Sequence, residues 1–265
     1  MTAGSLAGLV ICAPAGVLER RYVLAQGARV LGGGEMIALA PKVKGGARLA
    51  RELAGFGFSV AERAKAHHRI CQVRGPGEPA TLAAAIAAGA LQRLPALGLW
   101  SQPGLFSWDR IDGGTGLLMS QPWTPTGAGV DLGCGIGLLA KAVLASPSVT
   151  ALTLIDSDRR AIAAARLNIE DGRARFLQHD LRRPPANIAG VDFAIMNPPF
   201  HDGGAEDRRL GQAFIDTAAR VLRPGGVLRM VANVGLPYEA SLARAFTHVT
   251  RLAQENGFKV LEARR

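Results

Sequence analysis

The feature that most constrains this chain is a regular alternation of short apolar runs and amphipathic stretches from Gly129 onward. In order it predicts strand Gly129–Leu132, helix Leu138–Leu144, strand Ala151–Ile155, helix Arg159–Asn168, strand Arg175–Gln178, strand Val191–Met196, helix Glu206–Val221 and strand Val227–Ala232. Crossovers of this kind lay the strands parallel, cover both faces of the sheet with helices, and leave a ligand crevice at the carboxyl ends of the strands. A last hairpin is predicted to pair His248–Ala253 with Phe258–Glu262 across the Asn256-Gly257 turn.

The first 80 residues read as a shorter α/β unit. Strands are expected at Leu9–Ala13, Met36–Ala40, Phe58–Val60 and Ile70–Val73, with helices at Leu18–Leu31 and Ala47–Gly55. The Gly32-Gly33-Gly34 turn follows no acidic strand end, so no cofactor site is expected there. Gly75-Pro76-Gly77 and an Ala-rich helix at Thr81–Leu94 before Pro95 mark residues 81–102 as a linker, with a second domain at 103–265.

Composition removes several alternatives. No apolar run reaches about 18 residues and Pro14 interrupts the early apolar stretch, so neither a membrane span nor a signal peptide is expected, and the expected location is the cytoplasm. The three cysteines have no C-x-x-C spacing, and H-E-x-x-H and G-x-x-x-x-G-K-[ST] are absent, which argues against zinc, disulfide and P-loop chemistry. No metal is expected. The net charge of +10 suits an anionic partner, and residues 1–80, with 11 basic and 5 acidic side chains, carry +6 of it.

The loops after the strands carry the candidate chemistry. The first strand of the second domain ends in Asp131-Leu132-Gly133-Cys134-Gly135-Ile136-Gly137. Its glycines allow close backbone approach, while Asp131 would repel a pyrophosphate and attract the cationic group of an amino-acid-like ligand. Asp156, 19 residues past Gly137, stands where a carboxylate accepts from ribose hydroxyls, and Asp158 is the better helix cap. Asp180 ends the third strand, where it could accept from an adenine amino group or be a solvated loop acid. Asn197-Pro198-Pro199-Phe200 ends the fourth. The Asn197 side-chain oxygen and the Pro198 carbonyl can accept both hydrogens of a planar amine, and Phe200 offers a stacking face. His201 is read as a pocket-lining residue with a base role as the alternative. His67, His68, His179 and His248 read as surface residues, and Trp100, Trp108 and Trp123 as core or lid packing.

These residues, with Pro103-Gly104-Leu105-Phe106-Ser107, Asp112-Gly113-Gly114-Thr115, Asn197 through Gly203, Pro224-Gly225-Gly226, Val231-Ala232-Asn233 and Leu236-Pro237-Tyr238, resemble the class I S-adenosylmethionine-dependent methyltransferases. The resemblance is narrower still to the small-subunit ribosomal RNA (guanine-N2-)-methyltransferases, and it covers about residues 103–265. It implies a Rossmann-like, mostly parallel seven-stranded sheet with an antiparallel last strand, and a truncated, degenerate methyltransferase-like domain at 1–80 that docks RNA. It also implies that Asp131, Gly133 and Gly135 contact the methionine portion of S-adenosylmethionine, Asp156 the ribose and Asp180 the adenine, with Asn197, Pro198 and Phe200 forming the target-base pocket. Ribosomal RNA or a ribosomal subunit is the implied partner, and a monomer is expected. Adenine-N6 or glutamine-N5 methylation, or a catalytically weak RNA-binding assembly factor, are the competing readings.

Overall fold

The computed structural model describes Gly4 and residues 6–199, 201–202, 205–206 and 208–265. The chain divides into two compact units, Met1–Gln92 with Gln102–Gly104, and Arg93–Ser101 with Leu105–Arg265.

In the first unit, strand β1 (Gly8–Cys12), helix α1 (Val17–Leu31), β2 (Gly33–Pro41), α2 (Ala47–Ala54), β3 (Ala61–Lys65) and β4 (His68–Gly75) are followed by α3 (Pro79–Gly89). The sheet order is β1-β2-β4-β3, with β1 and β2 parallel and the other pairs antiparallel. Leu24, Met36, Leu49, Leu53 and Phe56 are fully buried in its core.

Three expectations are corrected here. Phe58–Val60 is not a strand: Phe58 is buried in the core and its N–H bonds back to the Leu53 carbonyl, and the strand is the next segment, Ala61–Lys65. Every residue of that strand is exposed, so no apolar alternation betrays it; pairing with β4 across the Ala66-His67 turn makes it a strand. The expected linker 81–102 is structured. Its helix runs Pro79–Gly89, buries Leu82 and Ala85 in the first unit's core, and stops five residues early because Gln92–Leu94 pairs with Leu99–Ser101.

The second unit begins its main sheet after α4 (Gly113–Ser120). It continues through β5 (Gly127–Leu132), α5 (Leu138–Leu144), β6 (Val149–Asp156), α6 (Arg159–Asn168), β7 (Ala174–Gln178), β8 (Val191–Met196), α7 (Arg208–Val221), β9 (Leu222–Asn233), α8 (Tyr238–Ala245), β10 (His248–Glu255) and β11 (Phe258–Arg264). The seven strands stand in the order β10-β11-β9-β8-β5-β6-β7, and β11 alone runs against its neighbours. Central strands covered on both faces read as near-continuous apolar runs. Accordingly Val130, Leu132, Leu154, Ile155, Ala194, Met196, Leu228 and Met230 are fully buried. Helix α7 starts at Arg208 rather than Glu206, which pairs with His201 in a two-residue bridge. The β10–β11 turn is as expected, with Asn256 at φ 50° and Gly257 at φ 82°.

At Gly129 the fold needs glycine for space: an added Cβ would lie 2.1 Å from the Phe193 ring on the neighbouring strand. Order reverses between β5, which leads on to β6, and β8, and both strands end at the crevice.

Candidate active site

The crevice is built on the ends of β5, β6 and β8. Past β5 the chain turns through Gly133, Gly135 and Gly137 with φ of 74°, 53° and 89°, angles that side chains rarely tolerate. The end of β6 fastens this loop: the Ile155 carbonyl accepts from the N–H groups of Gly133 (2.8 Å) and Cys134 (2.9 Å). Asp156 Oδ2 accepts from the Gly135 N–H at 2.9 Å, and Asp156 Oδ1 from that of Asp158 at 2.8 Å. Burial raises the Asp156 acid, opposed by these two N–H groups. Asp158 caps α6 instead, accepting from the Arg160 N–H at 2.8 Å.

Asp131 lies beneath the loop with no exposed surface, and among the described residues no group makes a hydrogen bond to either carboxylate oxygen. Burial pushes this acid up to about 8. The Ala140 N–H opposes that rise without reaching bonding geometry, and the Asp156 charge adds to it. A buried carboxylate with no counter-charge among the described residues is a poor structural choice. It suits a ligand that brings an ammonium group, so the residues present fit the methionine end of S-adenosylmethionine.

Asn197, at the end of β8, faces the same crevice, whose wall also includes Phe106, Ser107, Asp112, Thr115 and residues 133–136. Its side-chain nitrogen donates to Asp112 Oδ2 (3.0 Å) and to Thr115 Oγ1 (2.9 Å). Asp112 is also the N-cap of α4, accepting from the Thr115 N–H at 2.9 Å. Pro198 is buried. Phe200 lies outside the described residues, as do the side-chain surroundings of His201.

Asp180 is placed differently. Its side chain is 47% exposed on the loop after β7 and pairs with Arg182 at 2.8 Å, which holds its acid below the usual range. The structure thus brings Gly133, Gly135 and Asn197 to one crevice, ties Asp156 to the glycine loop through the Gly135 N–H, buries Asp131 fully and leaves Asp180 on a solvated loop. A larger groove of about 640 Å³, between Arg93, Trp100, Lys141 and Asp171, carries none of the expected residues. Sequence reasoning had no role for Asp112 and Thr115, although D-G-G-T is a legible capping pattern. Among the described residues no group of three potential metal ligands occurs, and no helix is long and apolar enough to cross a membrane.

A seven-stranded sheet with one reversed strand, a glycine loop over a buried acid and an Asn-Pro-Pro turn at the crevice define a class I S-adenosylmethionine-dependent methyltransferase. The methyltransferase small domain family matches residues 96–262. Ribosomal RNA small subunit methyltransferase C of Pseudomonas aeruginosa is 34% identical over 258 residues, covering 92% of this chain and 75% of that protein. The chain belongs to this family of ribosomal RNA methyltransferases. Ribosomal RNA large subunit methyltransferase G of Shewanella amazonensis is also 34% identical, over 166 residues, but covers 60% of this chain and 43% of that protein. Among solved structures, the T. thermophilus 16S rRNA N2 G1207 methyltransferase (RsmC) in complex with AdoMet and guanosine superposes with a TM-score of 0.80 at 26% identity. That match covers 99% of this chain and 74% of that one.

Proposed function

We infer that this chain methylates the exocyclic N2 amine of a guanine in small-subunit ribosomal RNA, using S-adenosylmethionine. The observation that carries this reading is the likeness along 99% of the chain to an enzyme solved with AdoMet and guanosine, with Asn197 at the crevice beside the glycine loop. The cofactor supplies a methyl group on a sulfonium, so the S–C bond breaks as the N–C bond forms and the amine releases a proton to solvent. The chain's own residues bind, align and exclude water. Asp131 takes the ammonium of the methionine portion, Gly133 and Gly135 let the backbone approach it, and Asp156 accepts from the ribose hydroxyls.

Asp180 reaches the adenine only by leaving Arg182, so its share of cofactor affinity is small. Asn197 Oδ1 and the Pro198 carbonyl accept the two amine hydrogens and hold the nitrogen lone pair in line, and Phe200 stacks on the base. Because the guanine has to leave its stack to enter the crevice, the substrate is an unpaired or incompletely assembled region of the RNA. The first unit, with +6 net charge over residues 1–80, docks RNA in this reading. The protein acts as a monomer in the cytoplasm, where ribosomal subunits are assembled.

Nucleoside mass spectrometry of small-subunit RNA from cells with and without the protein tests the reading. One N2-methylguanosine should disappear with it. Loss of N6-methyladenosine, or an unchanged nucleoside profile, overturns it.

A further inference from the structure

We propose that Asp112 and Thr115 are positioning residues that fix which end of the Asn197 amide meets the target amine. This rests on the catalytic reading of Asn197 given above. A primary amide has nearly the same shape after a 180° turn about its last torsion, but its chemistry reverses. With oxygen toward the target it accepts a hydrogen from the amine. With nitrogen toward the target, two –NH₂ groups face each other and the grip is lost.

The first turn of α4 removes that ambiguity. A carboxylate oxygen only accepts, so Asp112 Oδ2 at 3.0 Å requires the Asn197 nitrogen on its side. Thr115 Oγ1 at 2.9 Å takes the second amide hydrogen. Both hydrogens of Nδ2 are thereby used, and among the described residues no donor meets Oδ1, the one polar atom left for the substrate. Asp112 is itself held by the Thr115 N–H at 2.9 Å, so cap, hydroxyl and amide form one closed set. The set is dedicated rather than incidental. Asp112 lies 85 residues and Thr115 82 residues from Asn197, and α4 approaches closely enough that a Cβ on Gly114 would sit 2.8 Å from the Phe258 ring. The negative charge of Asp112 also polarises the amide, making Oδ1 a better acceptor as the amine nitrogen turns positive in the transition state.

Isosteric variants separate positioning from folding. Thr115→Val keeps the shape and deletes the acceptor, and Thr115→Ser restores it. Asp112→Ser keeps an N-cap but is too short to reach Asn197. In single-turnover methylation of small-subunit RNA, Thr115→Val should slow transfer by about tenfold and Asp112→Ser by at least as much. Thr115→Ser should recover most of the rate, and melting temperature and S-adenosylmethionine Kd should stay near wild type in all three. On an Asn197→Ala background Thr115→Val should cost nothing further. In the free protein labelled with ¹⁵N, the Asn197 side-chain N–H protons should exchange slowly, and faster in Thr115→Val. Wild-type transfer by Thr115→Val, a penalty that multiplies with that of Asn197→Ala, or fast exchange of the wild-type amide would overturn the proposal. Undiminished transfer by Asn197→Ala would instead remove the reading on which it rests.

Discussion

The two units share one construction and differ in what they leave unsatisfied. Strand, helix, strand, helix and hairpin follow in β1-α1-β2-α2-β3-β4 as in β8-α7-β9-α8-β10-β11. The sheets β1-β2-β4-β3 and β8-β9-β11-β10 pair with the same senses, and both hairpins turn on two residues of positive φ. The first unit contains, among its described residues, no counterpart of β5, β6 or β7, the strands that carry the glycine loop and its acids.

Their strand ends diverge in chemistry. Where β8 runs into Asn197-Pro198, β1 runs into Ala13-Pro14, and Ala13 is buried with no side-chain acceptor. The carbonyls of Pro14 and Ala15 are taken by Arg20 Nη1 at 3.0 and 2.6 Å, while Arg20 Nε and Nη2 each bind Glu52 at 2.7 Å. Arg20 is 1% exposed, and a Cβ on Gly45 would strike its guanidinium, so the equivalent place is plugged and its polar atoms are matched. Among its described residues the second unit leaves Asp131 without a hydrogen-bond partner and aims the Asn197 amide. The lesson is that a shared scaffold becomes a site where buried polar groups await a partner, and a support where they already have one.

The largest effect should come from breaking the matched set. Arg20→Met leaves Glu52 buried and unpaired and should destabilise the first unit by about 3–5 kcal/mol in denaturant unfolding, with an intact S-adenosylmethionine Kd. A shift below about 1 kcal/mol would remove the contrast.

The unmatched acid gives a pH signature. Folded Asp131 holds its proton up to about 8, whereas an unfolded aspartate releases it near 4, so the folded state binds the extra proton between those values. Stability in the absence of cofactor is therefore fullest at the acidic end of that window and is lost as pH climbs toward 8. Asp131 alone should remove about 2 kcal/mol between pH 6 and 8. Asp131→Asn should flatten that part of the unfolding profile, and an unchanged slope would contradict the burial argument.

Smaller still, Asp156→Ala should weaken S-adenosylmethionine by roughly tenfold or more in calorimetry, since charged hydrogen bonds to two hydroxyls are lost. Asp180→Ala should cost less, because that carboxylate is exposed and engaged by Arg182. The reverse order would reassign both strand ends. The smallest change is expected at the surface of the first unit. Lys42→Ala with Lys65→Ala should flatten the log–log salt dependence of RNA binding by about 1.4 if both meet phosphate. No change in slope would place docking elsewhere.

Much of the second unit is legible because its strands and helices announce themselves by period. Helices Leu138–Leu144 and Arg159–Asn168 and strand Val191–Met196 fall where the apolar pattern puts them. Two helices are not legible. Helix α4, G-G-T-G-L-L-M-S, has poor intrinsic propensity and exists through the Asp112 cap and burial of Leu118. Helix α8 is eight residues long and is held by burial of Tyr238 and Leu242. The strand-end acids and Asn197 are visible as residue types, but the aim of the Asn197 amide is set by partners more than 80 residues away, which local spacing does not encode.

Asn197→Ala most directly tests the claim that the open strand end of the second unit performs the chemistry. Single-turnover methylation of small-subunit ribosomal RNA, with cofactor Kd measured in parallel, should give a rate about 10²-fold lower or worse at an unchanged Kd. The two-acceptor grip acts chiefly as the nitrogen becomes positive. Near wild-type transfer to guanine by Asn197→Ala would contradict the account.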